Sequence, residues 1–318
     1  MAYGKSGTGD EMREGLNGCA LCPRQCGIDR AGSRGYCGER EKVRVARASL
    51  HMWEEPCISG ASGSGTIFFS GCPLKCVFCQ NRRIAMGETG RELTTTQLTQ
   101  LFLLLQRKGA DNINLVTPTH FVPQIAEALR MAQAEGLAIP VVYNTSSYEQ
   151  VETLRMLEGL VDIYLPDLKY YSGDLSARYS NAPDYFGYAS LAIAEMVRQV
   201  GVPLFGDNCS GEQLMKRGVI VRHMVLPGHV RDSRKVIQYL YDTYQDHIYM
   251  SIMNQYTPPE NMVDYPEISR RVTHREYERV VDYAIELGVE NAYVQEGDTA
   301  RESYIPDFDE EVYLKEVL

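Results

Sequence analysis

No stretch of this 318-residue chain approaches the roughly 18 uninterrupted apolar residues of a membrane-spanning helix, and its opening residues, MAYGKSGTGDEMREGLNG, contain no apolar secretory core. Neither a membrane protein nor a secreted one is expected, and a cytoplasmic protein is. Basic residues are also in deficit: 32 against 42 acidic, for a formal charge of −10. Such a balance disfavours a bound polyanion, even beside a local pair such as Arg82 and Arg83, so nucleic acid is not expected as a partner. No internal repeat is visible. Against these absences stands an excess of cysteine, nine residues in all. In a reducing compartment thiols read as metal ligands or catalysts before they read as disulfides.

Seven of the nine fall into two groups. Cys19, Cys22, Cys26 and Cys37 form CALCPRQC followed by ten residues and a further cysteine, and Cys72, Cys76 and Cys79 lie in FFSGCPLKCVFCQN. At this cysteine frequency a prescribed three-cysteine spacing arises by chance roughly 0.007 times per chain, so buried inert thiols are a poor account of them. Four cysteines suit a structural zinc, a rubredoxin-like iron or an iron–sulfur cluster, and a segment of about 40 residues without a core needs some such metal to fold. Three cysteines suit a cubane with one iron left open, as an open metal site differs from a closed one. Cys57, in EEPCISG, and Cys209, in DNCSG, stand apart. A lone cysteine is structural by default; near a barrel mouth either thiol would also serve as hydrogen-atom donor to a carbon radical, and Cys57 has the further alternative of joining the N-terminal metal.

Patterning divides the chain into a Cys-rich segment over 1–60 with a short strand at 43–53, a domain of alternating strands and helices over 61–300, and an extension over 301–318. From residue 65 strands alternate with helices: 65–70, then 94–108, 112–116, 122–136, 139–145, 151–159, 161–165, 185–200, 219–226, 232–245, 248–253 and 274–287. Six such βα units predict a parallel sheet with crossover helices, an incomplete (β/α)6 barrel instead of a closed eightfold one. In such folds reactive groups gather after the carboxyl ends of the strands. The cysteine loop at 72–79, TPTH at 117–120, NTSSY at 144–148, PDLKY at 166–170 and PGH at 227–229 all fall there. Taken singly, each has an ordinary reading as helix cap, turn or surface histidine. Their joint placement at one mouth favours a site.

The CxxxCxxC loop, with Phe78 before its last cysteine, resembles the signature of the radical S-adenosylmethionine (SAM) superfamily. The stretches VDIYLPDLKYYSGDLSARYS and VIVRHMVLPGHVRDS resemble glycyl-radical activating enzymes of the pyruvate formate-lyase type, and nearly the full length, through LHMWEEPCISG, INLVTPTHF and MNQYTPP, resembles the PflX-like iron–sulfur proteins. The resemblance implies a partial (β/α)6 barrel in which Cys72, Cys76 and Cys79 hold a 4Fe–4S cluster whose open iron binds SAM. Reduction by a donor such as flavodoxin or ferredoxin then yields a 5′-deoxyadenosyl radical. It further implies that Lys169 and Arg222 meet the SAM carboxylate, that Asp167 holds a cation or orients Lys169, that Phe78 lies against adenine, and that Asn144 to Ser147, Ser146 included, lie near ribose or a bound cation. Where activating enzymes carry a GGE motif for the SAM amino group this chain has VTPTH, which nominates Thr117 or Thr119. Two acceptors of the radical compete: a glycyl-radical protein, or a sugar or other small metabolite that is epimerised or rearranged. A metal-binding module without catalysis is the third alternative, and the Lys169 and Arg222 positions weigh against it.

Overall fold

Alternation in VRVARASLH makes strand β1 (Val43–His51), and a register shift between Val45 and Arg47 lets both Val45 and Ala48 be buried completely. In the computed structural model, which describes residues 18–208, 210–295 and 313–318, β1 lies antiparallel to β2 (Ser64–Phe69) and carries β3 (Arg91–Leu93) on its other edge. The chain continues through β4 (Ile113–Val116), β5 (Val141–Thr145), β6 (Ile163–Pro166), β7 (Leu204–Asp207), β8 (Gln213–Met224), β9 (Tyr249–Met253) and β10 (Ala292–Val294). The sheet runs β10-β9-β8-β6-β5-β4-β2-β1-β3, with β7 an antiparallel appendage of β8. From β2 to β10 all neighbouring strands are parallel. The two edge strands, β3 and β10, do not pair with each other, so the sheet curls without closing, as the barrel count implied.

The crossovers are α1 (Thr95–Arg107), α2 (Val122–Ala134), α3 (Val151–Arg155), α4 (Gly173–Ser180), α5 (Tyr185–Val200), α6 (Val230–Tyr244) and α7 (His274–Leu287). Thr94 with Gln97 and Thr273 with Glu276 form reciprocal capping boxes that start α1 and α7. Tyr143, Tyr164, Val219 and Val221 point outward into the main core shared with these helices. Their neighbours Val142, Ile163, Leu165 and Ile220 point the other way, to the inner face. That inner face is covered by the β1–β2 connection, whose helical turn Pro56–Ser59 lays Cys57 and Ile58 against those four residues. Ile58 is 1% exposed, a burial of about 1.5–3 kcal/mol.

Four labelled elements escaped the periodicity, the three-residue β3 among them. GDLSARYS in α4 buries Ser176, Tyr179 and Ser180, a face with little hydrophobic signal. The strand LFGD of β7 is half-exposed and exists because β8 starts at Gln213 to pair with it, and β10 has three residues. The parallel set thus numbers seven strands instead of six, from β2 through β4, β5, β6, β8 and β9 to β10. Among the described residues no helix is long and apolar enough to cross a membrane. Cys209 lies outside the described residues, as do 1–17 and 296–312.

Candidate active site

Strand β2 delivers the chain to Gly71 and then to the cysteine loop. Cys72, Cys76 and Cys79 line a cavity of about 260 Å³ at the carboxyl ends of the strands. The same cavity is walled by Thr117 after β4, Asn144 and Ser146 at the end of β5, Asp167 and Lys169 after β6, and Arg222 in β8. Phe78 lines it too, so of the residues expected to contact SAM only Ser147, at the end of the 144–147 stretch, and Thr119 are missing from this space. Phe78 is 4% exposed, and the rings of Tyr170, Tyr179 and Tyr256 hold it edge-on at 5.8–6.4 Å between centres. Thr119 does not face the cavity, because its hydroxyl donates to Glu149 at 2.6 Å. Thr117 keeps the place of the missing glycines in a telling way: its φ is +57°, a left-handed conformation that strains a β-branched residue and suits glycine.

Asp167 organises the charges. Its carboxylate accepts from Lys169 Nζ at 2.6 Å and from Arg222 Nε at 2.9 Å, and Arg222 also donates to Asn144 Oδ1 at 2.7 Å. Asn144 therefore serves the arginine and caps no helix. Burial pushes the Asp167 carboxyl up, yet Arg222 and Lys169 override it and hold it below its ordinary value. Lys169 stays charged by the reverse balance: burial pushes it down, while Asp167 and Cys76 raise it above the ordinary lysine value.

Burial drives the Cys72 thiol to about 11 and the Cys79 thiol to about 12, with neighbouring cysteines adding to each. Such thiols are protonated at neutral pH, so a metal held by them would displace protons on binding. The residues fit a three-thiolate cluster: the sulfurs share a cavity, Lys169 lies beside them, and the Ser180 hydroxyl donates to Cys76 Sγ at 3.1 Å. Hydrogen bonds to cluster sulfurs raise reduction potentials. Ser180→Ala is expected to lower the midpoint of the reconstituted cluster by about 40 mV, the one-electron equivalent of a hydrogen bond of about 1 kcal/mol; an EPR redox titration reads it directly.

A second cavity of about 650 Å³ adjoins the first and shares Trp53, Glu54, Arg222 and Gln255 with it. Glu54 accepts from Asn114 Nδ2 at 2.7 Å and stands 4.0 Å from Arg222, while Glu55 is hydrogen-bonded by Ser251. Burial raises both carboxyls, with Arg222 the main opposing influence. These two acids sit in EEPCISG, where a chemical role was expected of Cys57 alone; the doubled acid before a proline was the available signal. Cys57 itself is absent from the walls of both cavities, being packed in the inner apolar layer with its thiol near Tyr293.

His120 is buried and pushed by that burial to about 3, so it is a neutral structural group bonded to the Ser70 carbonyl. Glu149 was also missed. It is fully buried among the hydroxyls of Thr119, Tyr143 and Thr145, and desolvation lifts its pKa from 4.5 to about 7. A carboxyl raised in the fold contributes stability at low pH that is lost as pH climbs from the ordinary value toward 7. The loss amounts to about 3 kcal/mol at most. Glu149→Gln is expected to flatten the pH dependence of urea-unfolding midpoints between pH 5 and 8.

A family model for the radical SAM superfamily matches residues 66–240, the span from β2 into α6 that carries this cavity. The chain belongs to the radical SAM superfamily. An uncharacterised protein of Methanocaldococcus jannaschii is 28% identical over 283 residues, covering 86% of this chain and 76% of that protein. Among solved structures, a radical SAM methyltransferase from Sphaerobacter thermophilus aligns with a TM-score of 0.50 at 17% identity, over 73% of this chain and 66% of its own. SuiB of Streptococcus suis, bound to S-adenosylmethionine, aligns at TM-score 0.48 and 14% identity, over 73% of this chain and 50% of its own. The chain thus spans half to two thirds of the length of these two solved proteins. Superfamily membership carries the 4Fe–4S cluster and SAM as cofactors, and the three cysteines of the cavity wall are the ligands available for that cluster.

Proposed function

We propose that the protein is a hydrogen-abstracting radical SAM enzyme whose substrate is a small molecule held in the glutamate-lined cavity beside the SAM site. The observation that carries this reading is the pair of adjoining cavities with Arg222 and Glu54 as their common wall. A volume of about 650 Å³ falls within the ordinary range for small-molecule sites. The Pro56–Ser59 turn already occupies the inner face of the sheet, which leaves less room for an inserted loop of a partner protein.

When bound, the reduced cluster supplies the electron that splits SAM into methionine and a 5′-deoxyadenosyl radical. The chain's own residues bind and orient. Lys169 and Arg222 offer cations to the SAM carboxylate, Arg222 through a fixed donor fork and Lys169 as a point charge. Asp167 holds both in place. Thr117, at the position of the absent GGE motif, presents backbone and hydroxyl acceptors to the SAM ammonium. Phe78, braced by three tyrosines, flanks adenine, and Asn144 and Ser146 border the ribose.

The reading is tested by reconstituting the cluster without oxygen, adding reductant and SAM, and measuring 5′-deoxyadenosine. None formed from protein with confirmed iron and sulfide sinks it. A second reading, an activase that installs a glycyl radical on a partner protein, is favoured by the likeness of the Asp167, Lys169 and Arg222 stretches to that group. Supplying deuterium in candidate metabolites and in candidate glycyl-radical proteins separates the two, because the label appears in 5′-deoxyadenosine only from the true substrate.

A further inference from the structure

We propose that Cys19, Cys22, Cys26 and Cys37 hold a second iron–sulfur cluster, built against the back of the Cys72–Cys79 loop as its point of electron entry. The proposal rests on the radical SAM reading for the acceptor, and on the following contacts for the donor.

The two cysteine sets are joined through the backbone itself. The amide of Cys72 donates to the carbonyl of Cys37 at 3.1 Å. Gly71, at φ +81°, permits the approach: a Cβ there would stand 2.6 Å from the Cys37 oxygen and 2.6 Å from Glu39 Cγ. Bond lengths then bound the separation of the Cys37 and Cys72 sulfurs at about 12 Å, a distance over which electrons pass readily. A second tie comes from Arg24, between Cys22 and Cys26. Its Nε donates to the Pro73 carbonyl at 2.8 Å and an Nη to the Ser180 carbonyl at 3.0 Å, and Ser180 is the residue whose hydroxyl holds Cys76. The Arg24 guanidinium also lies 4.0 Å from the ring centre of Tyr36, beside Cys37. Each set is thus clamped to the other at two points.

The N-terminal set has the make-up of a ligand shell. Cys19, Cys22 and Cys37 are buried, and no disulfide joins any of the described cysteines. The Tyr36 amide donates to Cys26 Sγ at 3.3 Å, and the missing side chain of Gly35 leaves room between Cys26 and Cys37, whose sulfurs would lie 3.7 and 3.3 Å from a Cβ there. Arg30, fully buried, places its charge beside Cys37, and its Nε has no protein partner. The segment also suits a docking donor: residues 18–42 carry five basic and three acidic side chains in a chain of net charge −10, and Arg34 and Arg40 are exposed. An acidic low-potential carrier is drawn to this end.

The electron count closes without further reagents. One electron leaves a reduced ferredoxin-class carrier, passes through the N-terminal cluster, which returns to its oxidised state, and is consumed in breaking the sulfonium C–S bond: one bonding electron stays on the 5′ carbon as the radical, and the other pairs with the added electron on the methionine sulfur.

Three measurements test this. Protein with Cys72, Cys76 and Cys79 all changed to alanine, reconstituted without oxygen, is expected to retain about four iron and four sulfide per chain; zinc, or no metal, overturns the proposal. In the wild type, fully reduced, the EPR spectrum is expected to be broadened and split relative to the summed spectra of the two single-cluster variants, Cys22→Ala and the triple alanine protein; a strictly additive spectrum overturns it. With Cys22→Ala, the ratio of ferredoxin-driven to dithionite-driven 5′-deoxyadenosine formation is expected to fall at least about tenfold below that of the wild type, whatever the variant loses in dithionite-driven rate. An unchanged ratio overturns the relay. Absence of 5′-deoxyadenosine from the wild type with dithionite is a different result, and strikes the radical SAM reading itself.

Discussion

Cys76→Ala is expected to eliminate 5′-deoxyadenosine formation altogether while leaving a folded protein. Cys76 is 9% exposed, sits in the main core cluster, and is held by Ser180 on one side and the charge of Lys169 on the other. Removing one sulfur from an interior site costs about 1–2 kcal/mol of fold stability, well inside the margin of a domain this size. The chemistry has no such margin, because two thiolates do not retain a cubane that already leaves one iron open. The pair of measurements is therefore informative together: an unfolding midpoint close to wild type with activity at background. Substantial activity from this variant would place the cluster elsewhere.

Asp167→Ala is expected to be the most destabilising single change at the site, by about 3–5 kcal/mol, because it strands two buried cations that share one carboxylate. Lys169 and Arg222 stand 2.6 and 2.9 Å from its oxygens, with side-chain exposures of 18% and 16%. Glu54, 4.0 Å from Arg222, relieves part of the loss for the arginine and none for the lysine. Removing a cation together with the acid, as Asp167→Leu with Lys169→Met, is expected to recover much of the stability and none of the SAM affinity. The pH dependence has a defined sign. A carboxylate held below its ordinary value of 3.8 contributes in full above that pH, and the contribution drains away as pH falls below it. Urea unfolding of wild type and Asp167→Asn should converge toward acid; divergence there would mean the aspartate is not the ionised centre of the trio.

The strand and helix rhythm was readable because most elements bury one face on a regular period: β5, β6 and α5 appear where alternation and helical spacing put them. Cys72, Cys76, Cys79, Asp167 and Lys169 were readable for a different reason, lying on loops expected at strand ends in a parallel fold, whereas Arg222, inside β8, was reached only through the family resemblance. What escaped was held by single hydrogen bonds or by tertiary company. Ser180 is one serine in a polar helix until Cys76 is placed beside it. Glu149 is one glutamate after a turn until three hydroxyls converge on it. Arg24 lies between two cysteines and yet reaches residues 49 and 156 positions away. Thr117 carries no hint in its type of the backbone it adopts, since β-branched residues avoid φ near +57° unless their surroundings impose it.

Arg222 and Glu54 belong to both cavities, and this makes the two binding events partners in a thermodynamic cycle. A ligand that recruits the arginine on one side alters the charge left facing the other. Whatever factor SAM imposes on the affinity of the second occupant, that occupant must impose on SAM. Tightening of SAM by trial compounds is thus a way to find the substrate before any turnover is seen.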